Sequence, residues 1–326
     1  MLLQSPRISL PRMETSAALP ALALHSARRH AILCVLAASA TFTVGAAVVK
    51  QLTEHVPLLE IVMFRSLVGF MAMLPVLWRQ GGLSALATRR PGGHALRTLY
   101  GFIGTVTAVY GYAVLPLAAM TALGFAMPLF LTVLSVPLLG ERVGWRRSLA
   151  VLAGLGGVLT ILRPWRHGAG ALPLGASGLV LAGVVTWALA MISIRKMGDA
   201  GEKNVTIVAW YSLGTATLAG ICALPLWQTP SGIQWVALLA AGLLSGVAQL
   251  LMTEGYRGAE TTLVAPFEYG AIIYAILLGI AFWGEWPDLT SLLGVAVLVA
   301  AGLYIWHREV TRAARLRQPA ATGRRR

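Results

Sequence analysis

The chain has 326 residues, of which 57% are hydrophobic and only 12% charged, with a mean hydropathy of +0.74. A soluble domain carries about 25% charged residues, so water is not the main solvent of this chain. The formal charge of +14 invites a nucleic-acid reading, but the Lys and Arg sit in connections and tails between long apolar stretches, which is the pattern of membrane topology signals and excludes a nucleic-acid arm.

In chain order, residues 1–29 hold one short apolar piece, Ala17 to Leu24, too brief to span a bilayer, and they read as a disordered cytoplasmic tail with no cleaved leader. Met13 offers an alternative start. Hydropathy then predicts spans over 31–50, 57–78, 95–115, 117–139 and 147–163, and again over 175–196, 206–227, 233–255, 261–283 and 289–306. Each matches a hydrocarbon layer of about 30 Å. None alternates as a barrel strand does, so helices are the way to satisfy the backbone in lipid. The predicted fold is all-α integral membrane, with ten transmembrane helices and a basic cytoplasmic tail over 309–326. Cys34 and Cys222 fall inside spans as small core residues, and the six His lie in tails or near span ends without metal-ligand spacing. No metal and no cofactor are expected, and nothing sets an oligomeric state. Eight Trp (78, 145, 165, 227, 235, 283, 286, 306) fall near span ends, as interfacial anchors do.

With the N-terminus cytoplasmic, one side receives 22 of the 26 Lys and Arg and the other only Lys50, Arg163 and Arg166, leaving Arg65 within a span. Both termini are therefore expected in the cytoplasm of a bacterial inner membrane. Internal repeats sharpen the picture. Gly111-Tyr112 recurs as Gly255-Tyr256 and Gly140-Glu141 as Gly284-Glu285, both at an offset of 144, while Thr41-Phe42 with Lys50 recurs at 145 as Thr186-Trp187 with Arg195. Five spans per copy, over 30–165 and 175–308, force the second copy upside down, giving the inverted repeats through which secondary transporters alternate access. Close glycines, such as Gly242 and Gly246, read as helix packing.

The segments Phe64-Arg65, Met127-Pro128-Leu129-Phe130, Leu139-Gly140-Glu141-Arg142-Val143, Ala265-Pro266-Phe267-Glu268-Tyr269, Trp283-Gly284-Glu285-Trp286-Pro287-Asp288 and Ala301-Gly302-Leu303-Tyr304 share a pattern. Together they resemble the EamA-type transporters of the drug/metabolite transporter superfamily. The resemblance covers about residues 31–308 and implies ten helices around a central cavity, no enzyme activity, and a small-molecule substrate moved without nucleotide hydrolysis. Similar proteins handle amino acids, S-adenosylmethionine, riboflavin or metallophores, in either direction.

Arg65 and Glu268 are charges at comparable middle depth, and a lone charge there costs about 2.5–3.5 kcal/mol on insertion scales. They are expected to face the cavity and to pair in one state, with Glu268 carrying a coupling proton; a permanent salt bridge is the alternative. Lys50 and Arg195 are expected to snorkel, and Glu60 to reach the headgroups. Phe42 and Trp187, related by the repeat, with Tyr112, Tyr256, Tyr269 and Gln249, complete the candidate substrate and coupling residues. The reading is export of an amino-acid-like or amino-acid-derived compound, a metallophore included, with import of a cofactor-like compound such as S-adenosylmethionine or riboflavin as the alternative. A membrane-embedded transferase is disfavoured because Asp199 and Asp288 are the only aspartates. No phosphate-binding loop supports an ATP-driven pump.

Overall fold

The computed structural model describes residues 18–140, 143–166, 172–258 and 261–317. They form α1 (Ala18–Leu52), α2 (Leu58–Arg79), α3 (Pro91–Val114), α4 (Leu117–Leu139), α5 (Trp145–Leu162), α6 (Leu174–Asp199), α7 (Asn204–Ala223), α8 (Gly232–Gly258), α9 (Ala265–Trp283) and α10 (Leu289–Arg317). All but α3 are long and apolar enough to cross a bilayer on composition alone. The exception carries His94 and Arg97 in its first two turns, and the fold buries both. α1 starts at Ala18, inside the stretch read as a disordered tail; Pro20 sits in its first turn, where a missing N–H costs nothing, and no breaker follows. α10 likewise runs on to Arg317, into the expected tail.

Contacts at the helix ends show that the helices alternate in direction. The end of α1, the α3–α4 connection and the residue after α9 meet through Lys50, Leu115, Leu117 and Glu285. At the opposite end, the start of α3 meets the α6–α7 connection through His94 and Glu202. Even spans place the start of α1 and the end of α10 together, at the His94 end.

The bundle has a pseudo-two-fold arrangement that relates α1–α5 to α6–α10. A β-carbon on Gly111 of α3 would stand 2.8 Å from Val180 Cγ2 of α6, and one on Gly255 of α8 would stand 2.5 Å from Val35 Cγ2 of α1. Val35 and Val180 are themselves repeat mates, so the Gly-Tyr pairs mark two equivalent crossings where only hydrogen lets the backbones approach. Gly140 and Gly284 end α4 and α9 in the same left-handed conformation, at φ 68° and 65°. Glu141 lies outside the described residues. α5 and α10 also touch backbone to backbone, since a β-carbon on either Gly157 or Gly294 would lie 2.8 Å from the other's carbonyl oxygen.

At the Lys50 end, Asp288 caps α10 by accepting the Ser291 N–H at 2.8 Å and also holds Arg163 and Arg166 of the α5 end. Burial alone raises its carboxyl, but the Ser291 and Arg163 hydrogen bonds win and hold it at about 2. A depressed carboxyl stabilises the fold fully above its unfolded value of about 3.9 and loses that contribution as pH falls through its folded value. Asp288→Asn should therefore lower the thermal midpoint by an amount that is constant from pH 8 to about pH 4 and shrinks toward pH 2. A midpoint difference that grows on acidification contradicts this assignment.

Candidate functional site

Two helices are broken at equivalent depth. α4 is interrupted at Phe125 and Ala126, where Pro128 removes one backbone donor, and α9 begins as a 3-10 turn over Ala265–Tyr269 with Pro266 in its first turn. Broken helices beside a cavity are where secondary transporters hold cargo. Phe125 and Tyr269 are repeat mates at offset 144, and their rings lie against each other, tilted by 31° with 4.6 Å between centroids. Since mates can touch only near the symmetry axis, the axis passes between these two rings.

Around them lies a cavity of about 550 Å³, formed by α1, α3, α4, α6, α8, α9 and α10. Seven aromatic residues line it: Phe42, Tyr112, Phe125, Trp187, Tyr256, Tyr269 and Trp306. Glu268 is the one ionisable acid on the wall, and Tyr256 donates its hydroxyl hydrogen to it. The mate of Glu268 at offset 144 is Gly124, which also lines the cavity and where a β-carbon would meet nothing within 4 Å. One side of the axis thus presents a carboxylate held by a phenol and the other presents open space.

Six of the eight candidate residues from the sequence, Phe42, Tyr112, Trp187, Tyr256, Glu268 and Tyr269, lie on this wall, and Arg65 and Gln249 do not. Arg65 donates from Nε to Ser245 Oγ at 3.2 Å, between α2 and α8. Glu268 is engaged with Tyr256, so the expected Arg65–Glu268 pair is absent from this conformation: the partners Ser245 and Tyr256 are eleven residues apart on α8, about 16 Å along its axis, and the two charges do not share a depth. Gln249 is exposed but does not line this cavity. Trp306, expected as an interfacial anchor, lines the cavity instead, because α10 continues beyond it and carries it inside the bundle. Cys222 is exposed and not a core residue.

An ion pair ties the helices together at the Lys50 end of the bundle. Lys50 is 8% exposed and does not snorkel; its ammonium pairs with Glu285 at 2.9 Å and donates to the Leu115 and Tyr112 carbonyls at 2.8 and 3.3 Å. Glu285 in turn accepts the Leu117 N–H at 2.7 Å, so one ion pair ties α1, α3, α4 and α9 together. Glu60 is fully buried and so does not reach the headgroups; its Oε1 accepts the Gln228 N–H at 2.6 Å, which anchors the α7–α8 connection. Neither role is written in a hydropathy plot, because each depends on a backbone group far away in sequence.

Broken helices on a two-fold axis with an aromatic cavity between them are the arrangement in which secondary transporters hold cargo. Comparison with known proteins identifies the family. Residues 29–163 and 175–306 each match the EamA-like transporter family. The chain belongs to that family. A riboflavin transporter from Rhizobium johnstonii is 32% identical over 75% of this chain and 79% of its own length. A pseudopaline exporter from Pseudomonas aeruginosa is 30% identical over 83% and 93%. An S-adenosylmethionine uptake transporter from Rickettsia felis is 26% identical over 80% and 86%. A crystal structure that is 20% identical superposes with a TM-score of 0.60, covering 88% of this chain and 99% of that one, which shows the shared fold. This EamA-like protein is a multi-pass membrane transporter of a small molecule, not an enzyme.

Proposed function

We propose that this transporter exports an amino-acid-derived metabolite from the cytoplasm across a bacterial inner membrane by alternating access. The observation that carries the reading is a cavity wall that bears seven aromatic side chains and a single carboxylate. Ring faces attract a cation, Glu268 accepts its hydrogen bonds, and both suit an ammonium group. The His94 end is the cytoplasmic one, because 22 of 26 Lys and Arg belong to the connections and tails on that side. The ion-paired Lys50 end then faces outward, and the outward path opens when that ion pair parts. Export accords with the pseudopaline exporter, which aligns over 93% of its length.

Import of a flat, cofactor-like compound is the second reading. The open space at Gly124, beside the Phe125–Tyr269 pair, is suited to a planar ring. The riboflavin and S-adenosylmethionine transporters favour it.

Purified protein in proteoliposomes decides between them by counterflow of labelled amino-acid-derived ammonium compounds, S-adenosylmethionine and riboflavin. Saturable counterflow of an ammonium compound supports the first reading, and of riboflavin alone the second. Gly124→Leu starts its side chain from a β-carbon that meets nothing within 4 Å and points the rest into the cavity, so it should leave folding intact and cut counterflow by about tenfold or more, the effect of losing some 1.4 kcal/mol of binding. Undiminished counterflow in that variant rules this cavity out as the route.

A further inference from the structure

A second cavity, of about 540 Å³, lies at the His94 end, away from the cargo route. Its walls come from the α2–α3 connection (Ser84, Ala85, Ala87, Arg89, Arg90) and the α6–α7 connection with the start of α7 (Ala200, Gly201, Glu202, Lys203, Thr206). The frame is firmly built. Thr206 donates to the Ala85 carbonyl at 2.6 Å and Trp210 Nε1 to the Leu86 carbonyl at 2.9 Å, which docks the 3-10 turn Gly82–Leu86 on α7.

Charge in this cavity is unbalanced. Three cations, Arg89, Arg90 and Lys203, stand against one acid, Glu202. That acid is already occupied: it accepts from Thr88 Oγ1 at 2.8 Å and faces His94 Nε2 at 3.4 Å, and the Thr88 bond in particular keeps it ionised below the usual carboxylate range. Among the described residues no ion pair engages Arg89, Arg90 or Lys203. The last two are also the N-caps of α3 and α7, whose N-terminal dipole ends are positive. Trp78, 68% exposed, and Trp210, 40% exposed, flank the site at the end of α2 and the start of α7. Exposed Trp at this position marks the headgroup level of a bilayer.

We propose that this cavity binds a phosphate group, supplied by the headgroup of an anionic phospholipid. The cations supply charge and forked donors for phosphate oxygens, the cavity admits a headgroup, and the Trp pair sets it at the depth where that headgroup lies. Bound lipid bridges the α2–α3 and α6–α7 connections, one from each repeat.

The test is thermal unfolding of the full-length protein in detergent with added dioleoylphosphatidylglycerol, dioleoylphosphatidylcholine or glycerol 1-phosphate, alongside native mass spectrometry. The expected result is a rise in midpoint and retention of one lipid with phosphatidylglycerol alone. Arg89→Gln/Arg90→Gln/Lys203→Gln should lose both, while Arg146→Gln, on the same side but outside the cavity, should keep them. Should the triple variant fold poorly, Lys203→Gln alone should show a partial loss of lipid retention. Equal shifts with glycerol 1-phosphate and phosphatidylglycerol would assign the site to soluble phosphate esters and overturn the lipid source. Undiminished lipid retention in the cation variants overturns the site itself.

Discussion

Glu268→Gln is expected to lower transport by about tenfold to a hundredfold, since a hydrogen bond to a charged group contributes about 1.5–3 kcal/mol. Tyr256 still has a carbonyl oxygen to donate to, so the local hydrogen bond survives and only the charge is lost. The pattern of loss separates two roles. When the carboxylate carries a coupling proton, the variant keeps counterflow but no longer accumulates cargo against a pH gradient. When it holds the ammonium of the cargo, counterflow and accumulation fall together. Full retention of both activities would remove Glu268 from the mechanism.

The second large effect is expected at the ion-paired end. Breaking a buried ion pair by removing one partner costs about 3–5 kcal/mol because the other charge is left uncompensated, and the side chains of Lys50 and Glu285 are only 10% and 18% exposed. Lys50→Met therefore destabilises the conformation closed at that end, and a bias of this size is enough to invert a two-state population. In a background lacking Cys34 and Cys222, a cysteine placed at Thr121 on the cavity wall should react with a membrane-impermeant thiol reagent applied from the Lys50 side at least about tenfold faster in Lys50→Met, a 1.4 kcal/mol shift. Lys50→Met/Glu285→Leu should recover much of the lost thermal stability, since two apolar groups can replace a buried pair, and so return labelling toward the wild-type rate. Unchanged labelling would show that this ion pair is scaffold and not gate.

Much of the architecture was legible because hydropathy reports depth directly. The predicted span over 117–139 and the helix Leu117–Leu139 coincide, and the mates Gly140 and Gly284 announced the shared left-handed caps. Rotation about a helix axis was less legible. Arg65 and Glu268, read as sharing a depth, engage Ser245 and Tyr256, eleven residues apart on α8, and Gln249, polar and mid-span, is exposed and off the cavity wall. Phe42 and Trp187 came out on the cavity wall because symmetry constrains azimuth as well as depth. Partners that are backbone groups, such as the Leu117 and Gln228 N–H groups that engage Glu285 and Glu60, have no side-chain signature. Phe125 could have been found by adding 144 to its number and noticing Tyr269.

The Phe125–Tyr269 pair also bears on what moves. A point on a rotation axis is its own image, so when the two halves exchange shapes the displacement there vanishes, while it grows with distance toward Lys50 at one end and His94 at the other. In the proposed alternating-access cycle the paired rings act as a fulcrum. Cargo lodged against them would stay nearly still, with the protein carrying the barrier past the cargo instead of the cargo past the barrier.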